Sequence, residues 1–191
     1  DGKSGSLLSD LTSSPEDAHK GTIYGVEFHP QKEDVFASTG ADGFLKIWQV
    51  QEGGKSAKVL ESFNLRSSST SSSASADDQQ VALCFAGADR VVSLGLSSDL
   101  FVAHLGSGGK KFDKVSAPSK SITSISAASS GGKLYAGSYD GKVCEWDLQP
   151  LTSSSSSVNL TTSGGNVACR SMLASSSGSA AVTGVAIHNA S

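Results

Sequence analysis

The sequence of 191 residues carries a formal net charge of −3, is rich in glycine and serine, and has only 6% aromatic residues. Without a basic surplus there is nothing to track phosphates, so no nucleic-acid partner is expected, and no apolar run approaches the ~20 residues that a bilayer-spanning helix needs. Three well-separated cysteines, Cys84, Cys144 and Cys169, form no CxxC pair; they read as buried reduced thiols, not as a zinc site or a disulfide framework.

In chain order, the opening "DGKSGS" contains Gly-Lys-Ser but lacks the earlier glycine and the strand of a phosphate-binding loop. It reads as a turn between two outer strands, and a chain opening on Asp rather than Met reads as a piece of something longer. "TIYGVEF" (22–28) is a strand whose period breaks at Gly25, and His29-Pro30 ends it, because proline cannot donate to a ladder. "VFAST", the turn "GADG" and "FLKIWQV" follow, then a fourth strand "AKVLESFNL" (57–65). A second unit comprises "VALCFA" (81–86), "VVSLGL" (91–96), "LFVAHL" (100–105) and "FDKVSA". A third begins with "SITSISAA" (121–128) and continues through "KLYAGS", the turn "YDG" and "KVCEWDL". A fourth is expected to start at "NVACRSMLAS" (166–175), followed by "AAVTGVAIH" (180–188). No helical period of useful length is present.

Two Ser-rich tracts interrupt the strands, "SSSTSSSASADD" (67–78), with a surface loop at 67–76, and "TSSSSS" (152–157). They cannot bury apolar area and read as surface loops. The carboxylates of Glu16-Asp17 and Asp77-Asp78 read as solvated charges beside loops. His19, His29, His104 and His188 show no close pairing suited to a metal, so no metal, cofactor or small-molecule substrate is expected.

The stretches "VFASTGADGFLKIWQV" and "LYAGSYDGKVCEWDL" align without a gap, placing Asp42 over Asp140, Gly43 over Gly141 and Trp48 over Trp146. Repeats of ~40–45 residues with short strands and a terminal Trp-Asp resemble WD40 β-propeller blades. The expected fold is therefore all-β, in four-stranded antiparallel blades. In the first unit His19, Ser38, Asp42 and Trp48 sit at the spacing at which such blades resemble one another. The resemblance implies a chain from the indole N–H to the hydroxyl, then imidazole, then turn carboxylate, satisfying each buried polar group. The third unit keeps Asp140 and Trp146 but has Pro118 and Ala136 where His and Ser would stand, so its network is incomplete. The second unit lacks both the Trp and the Asp-Gly turn. A His, Ser and Asp in one unit also invite a hydrolytic reading, but the indole-capped chain has no oxyanion site in view, and no enzyme is expected.

Over residues 1–150 the resemblance narrows. "AHKGTIYGVEFHP", "LKIWQV", "DDQQVALCFAGADRVVSLGLSSDLFVAHL" and "SKSITSISAASSGGKLYAGSYDGKVCEWD" follow one another in an order similar to actin-interacting protein 1, the WD-repeat partner of cofilin. Asp77-Asp78-Gln79-Gln80, before a unit without its Trp, is the most specific part. Departures are Phe85 where family members carry Trp, and Pro118 where they carry His. The resemblance implies tandem propellers of about seven blades each, of which this chain holds about four. The last blades of the first would lie at 1–110 and the first blades of the second at 111–191. It implies a non-catalytic cytoplasmic protein of the actin cytoskeleton that binds cofilin-decorated filaments and promotes their severing and disassembly. The alternative is a WD40 scaffold or adaptor of an unrelated complex. Propellers present partners on the face formed by the turn before the first strand and the turn between the second and third. Lys20, Thr22, Lys120, Ser121 and Tyr139 occupy those positions, Tyr139 offering the largest contact area with a polar tip.

Overall fold

A computed structural model describes residues 14–51, 53–67, 74–117, 122–151, 169–173 and 180–187. The strands are β1 (Ile23–Phe28), β2 (Val35–Gly40), β3 (Phe44–Gln51), β4 (Ser56–Asn64), β5 (Gln80–Phe85), β6 (Arg90–Gly95), β7 (Asp99–His104), β8 (Phe112–Ser116), β9 (Ile122–Ala127), β10 (Lys133–Ser138), β11 (Lys142–Asp147) and β12 (Cys169–Leu173). One 3-10 turn, Ala76–Asp78, precedes β5. The strands form three antiparallel meanders of four, β1 to β4, β5 to β8 and β9 to β12. Adjacent sheets meet chiefly through their first strands, β1 and β2 against β5, and β5 against β9.

The same local chemistry recurs in each sheet. The turn between the second and third strands ends at Gly43 (φ 75°), Ser98 (φ 70°) and Gly141 (φ 80°). In all three that left-handed residue donates its N–H three positions back, to Gly40, Gly95 and Ser138. Two units satisfy the geometry with glycine, and the middle one holds a serine there, at a conformational cost of about 1 kcal/mol. Each first strand also carries a register shift against its neighbour, at Ile23/Gly25, Gln80/Ala82 and opposite Gly137/Ser138. The break of alternation at Gly25 is thus a β-bulge.

Strand alternation divides the middle sheet between two cores. Leu83, Phe85, Val91, Phe101 and Ala103 pack against Val35, Ala37, Leu45, Ile47 and Phe63 of the first sheet. The intervening Cys84, Val92, Leu94, Leu100 and Val102 pack against Ile122, Leu134, Ala136, Cys144 and Trp146 of the third. Every residue of β6 is buried as a result. On the face of the first sheet that carries Ser38, Lys46 and Trp48, these residues of β2 and β3 are buried, whereas Ile23, Val26 and Phe28 of β1 are exposed.

One expectation needs correction. Cys169–Leu173 does not open a fourth unit; it pairs with β11 and completes the third sheet, with Cys169 opposite Trp146. Beyond it the described residues are 180–187, where Val182 donates its N–H to the Ser138 carbonyl at 3.0 Å. Its "VTGVAIH" matches "IYGVEFH" of β1 glycine for glycine, so the following unit begins about here rather than at 166. The boundary expected at 110/111 falls ahead of β8, inside the second sheet, and the second and third sheets share a continuous core. The Ser-rich tract 152–157 and the opening residues 1–6 lie outside the described residues.

Candidate functional site

The polar chain of the first unit begins where the segment before β1 crosses the β2–β3 turn. His19 Nδ1 lies 2.9 and 3.0 Å from the two carboxylate oxygens of Asp42, and its Nε2 lies 2.7 Å from Ser38 Oγ. Trp48 Nε1 donates to the same Oγ at 2.7 Å. Donors and acceptors match when Ser38 accepts from the indole, donates to Nε2, and His19 donates from Nδ1 to Asp42. Asp42 also accepts the backbone N–H groups of Lys20 (2.9 Å) and Phe44 (3.2 Å). Burial pushes its pKa up, but these hydrogen bonds and His19 outweigh that and hold it below the ordinary carboxylate value. The order Ser–His–Asp matches that of a hydrolytic triad. However, Ser38 is 2% exposed and its oxygen already receives the Trp48 N–H, leaving no approach for a substrate. The chain ties β2 and β3 to the segment that enters the sheet.

The third sheet brings no such set together. Asp140 accepts from the Ser138 hydroxyl and, at 2.7 Å, from Lys142 Nζ. The Trp146 indole N–H, 1% exposed, has no hydrogen-bond partner among the described residues. Ala136 stands where Ser38 stands in the first sheet, two residues along from the strand partner of the Trp in each case. Trp146 packs there in the apolar core that the second and third sheets share.

The middle sheet, which lacks the motif, has polar links of its own that spacing alone did not reveal. Gln80, fully buried, donates to the Asp78 carbonyl (2.9 Å) and accepts from Ser93 Oγ (2.7 Å); Ser93 in turn meets Thr39 Oγ1 at 3.3 Å across the sheet interface. Arg90 reaches into the third sheet, donating to the carbonyls of Leu148 (2.7 Å), Leu151 (3.2 Å) and Gly131 (2.9 Å). His29 performs the equivalent task between the first two sheets, its Nε2 lying 3.0 Å from the Ala88 carbonyl. His104 Nε2 sits 2.7 Å from Asp113 Oδ2, both residues buried.

Asp78 is not the solvated charge that its sequence context suggests. It is 8% exposed and accepts from the backbone N–H and the hydroxyl of both Ser67 and Ser75, at 2.8 to 2.9 Å. Burial pushes its pKa up, but the four hydrogen bonds pull it down to about 2. The Ser-x-x-Asp spacing from Ser75 is a capping box, a signal present in the sequence.

Of the partner-face residues, Lys20 and Thr22 are exposed and flank the Asp42 turn, where the Thr22 carbonyl accepts from Ala41 N–H at 2.8 Å. Tyr139 is 70% exposed on the corresponding turn of the third sheet. Lys120 and Ser121 lie outside the described residues. A cleft of ≈ 550 Å³ opens beside Lys20, walled by Asp42, Phe44, Lys46, Arg66 and Ala74. Lys46 Nζ donates to the Asp17 and Ala18 carbonyls, so it fixes the entering segment more than it faces solvent. Cys84 and Cys144 are buried, and burial pushes the Cys84 thiol up, leaving it unreactive. No group of three or more His, Cys, Asp or Glu suited to a metal occurs among the described residues, and no described helix is long and apolar enough to cross a membrane.

The model of the WD domain, G-beta repeat, matches residues 9–49 and 109–147. Actin-interacting protein 1 of Drosophila melanogaster is 26% identical over 77% of this chain and 22% of its own length. Actin-interacting protein 1-2 of Arabidopsis thaliana is 30% identical over 78% of this chain and 23% of its own length. The chain therefore spans about a fifth of the curated relatives it matches. Among solved structures, the C-terminal WD40 domain of Sif2 superposes with a TM-score of 0.52 at 21% identity, over 70% of this chain and 34% of that one. The chain is a segment of WD40 β-propeller blades, similar in sequence to actin-interacting protein 1.

Proposed function

We propose that this segment belongs to a non-catalytic actin-regulatory protein that binds cofilin-decorated actin filaments and promotes their severing and disassembly. The observation that carries this reading is the pair of relatives named actin-interacting protein 1, from an animal and a plant, each matched over more than three-quarters of the chain. The chemistry agrees with it. The only Ser–His–Asp arrangement in the described residues is occupied in holding a sheet together. A protein that binds the cofilin-deformed filament more tightly than the bare one shifts the balance toward broken filaments without hydrolysing anything. We place the contact surface on the face carrying Lys20, Thr22 and Tyr139, with Lys120 and Ser121 on the same turns by sequence position, and the protein in the cytoplasm on the actin cytoskeleton.

Co-sedimentation of the full-length protein with filamentous actin tests the reading. Pelleting that rises steeply when cofilin is added, with actin moving to the supernatant, supports it. Pelleting indifferent to cofilin, or none, leaves the second reading, a WD40 scaffold for an unrelated complex, which the fold-level likeness to the Sif2 domain equally suits.

A further inference from the structure

The function above leaves the Ser-rich tract after β4 unused, and its two described ends converge on a single carboxylate. Ser67 follows β4 and Ser75 precedes the 3-10 turn, and both are exposed. Each nevertheless commits its backbone N–H and its hydroxyl to Asp78. Four donors on one buried carboxylate close the connection between the first and second sheets like a latch. The latch is joined to its surroundings on two sides. The Asp78 carbonyl accepts from Gln80, which continues through Ser93 to Thr39 of the first sheet. The same carbonyl lies 3.2 Å from where a side chain at Gly43 would begin, so the latch abuts the Asp42-Gly43 turn. Arg66 and Ala74, which flank the two serines in sequence, wall the cleft beside Lys20.

We propose that Ser75 is a phosphorylation site of an acid-directed serine kinase, and that its phosphorylation opens the latch at Asp78. Recognition would come from the exposed Asp77, two positions after Ser75, and from the exposed, extended backbone of Ser75 (φ −73°, ψ 167°). In the transfer, the Ser75 oxygen forms a bond to the terminal phosphorus of a nucleoside triphosphate as the bond to its bridging oxygen breaks. The hydroxyl proton passes to the kinase and the nucleoside diphosphate departs. The product has lost the O–H that Asp78 accepts and gained a charge of roughly −2 beside a carboxylate that is ionised throughout the physiological range. Two like charges at hydrogen-bond distance repel, so the Ser75 side leaves, and Ser67 loses the closed connection that held it against the same oxygen pair. The cleft wall at Arg66 and Ala74 is then released. This inference does not depend on the filament reading.

The experiment is treatment of the full-length protein with an acid-directed serine kinase and magnesium ATP, followed by site mapping by fragment mass spectrometry and amide hydrogen exchange. Phosphate on Ser75 is expected, with exchange at the Ser67 and Ser75 amides accelerated about tenfold or more while β6 is unchanged. Phosphorylation confined to other serines of the tract overturns the site. Phosphate on Ser75 with unaltered exchange at Ser67 overturns the latch. In Asp78→Asn, exchange at both amides is expected to be fast before treatment and unchanged after it. If phosphorylation accelerates exchange in that variant as much as in the native protein, the carboxylate is not what senses the phosphate and the proposal fails. The native-protein arm stands alone should the variant prove unstable.

Discussion

The first sheet has the complete His19–Ser38–Asp42–Trp48 chain and leaves the apolar side chains of β1 exposed, whereas the middle sheet has no such chain and every residue of its β6 is buried. Motif and burial are therefore separable in this protein. A sheet flanked on both faces draws its stability from packing, which is roughly proportional to apolar area removed from water, and can lose its Trp and its glycine turn. In the first sheet the segment that enters β1 is instead held over β2 and β3 by hydrogen bonds with Asp42, Ser38 and Lys46.

The largest test of this difference is truncation of matched apolar residues. Leu94→Ala in β6, fully buried, is expected to lower the unfolding free energy by about 3 kcal/mol. Val26→Ala on the bare face of β1, 58% exposed, should cost less than about 0.5 kcal/mol. Urea denaturation of the full-length protein measures both, and equal losses would mean that the bare face is covered in solution.

Next comes the polar chain. Ser38→Ala strands the Trp48 N–H and the His19 ring nitrogen together, for an expected loss of about 2 kcal/mol. The converse change, Ala136→Ser, offers the orphaned Trp146 N–H an acceptor, and a gain of about 0.5 kcal/mol is expected. A loss on Ala136→Ser would show that the third sheet has no room for the hydroxyl. Arg90→Met removes three carbonyl partners between the second and third sheets and should cost about 2 kcal/mol, seen as selective loss of amide protection in β9 to β11.

Acid lability follows from the carboxylates. Asp42 and Asp78 are both depressed in the folded state, Asp78 to about 2. A group depressed on folding contributes stability that is fully present above its unfolded pKa and is lost as pH falls through the folded value. Stability should therefore decline from about pH 4 downward, the Asp78 share disappearing toward pH 2. In Asp78→Asn the lower part of that decline should be absent from a pH series of denaturation midpoints. The smallest effect is at Ser98, whose left-handed backbone replaces the glycine of the other two turns. Ser98→Gly is expected to stabilise by no more than about 0.5 kcal/mol, relief of the backbone conformation being partly offset by the extra freedom of glycine when unfolded.

Much of this was legible in the sequence for identifiable reasons. Period-two alternation placed eleven of the twelve strands within a residue or two, because side chains of a strand face opposite sides and the middle sheet has a core on each. The Asp-Gly turns marked the β2–β3 and β10–β11 connections, since only glycine takes that backbone readily. The twelfth strand was assigned to the wrong unit, since "NVACRSMLAS" alternates equally well as a first or a last strand. Asp78 sits in a Ser-rich context that suggests a surface charge, and only the Ser75-x-x-Asp78 spacing signals its buried cap.

What the chain determined by itself is local: strand periodicity, the turns that reverse it, and the residue types of one polar chain. What only the tertiary structure decided is which neighbour each side chain meets. Arg90 finds carbonyls 41 to 61 residues away, Thr39 meets Ser93 across a sheet interface, and the Trp146 indole goes without a partner among the described residues while Trp48 has one. Such contacts depend on how sheets stack, and stacking is set by the summed shape of two apolar faces rather than by any single stretch of sequence.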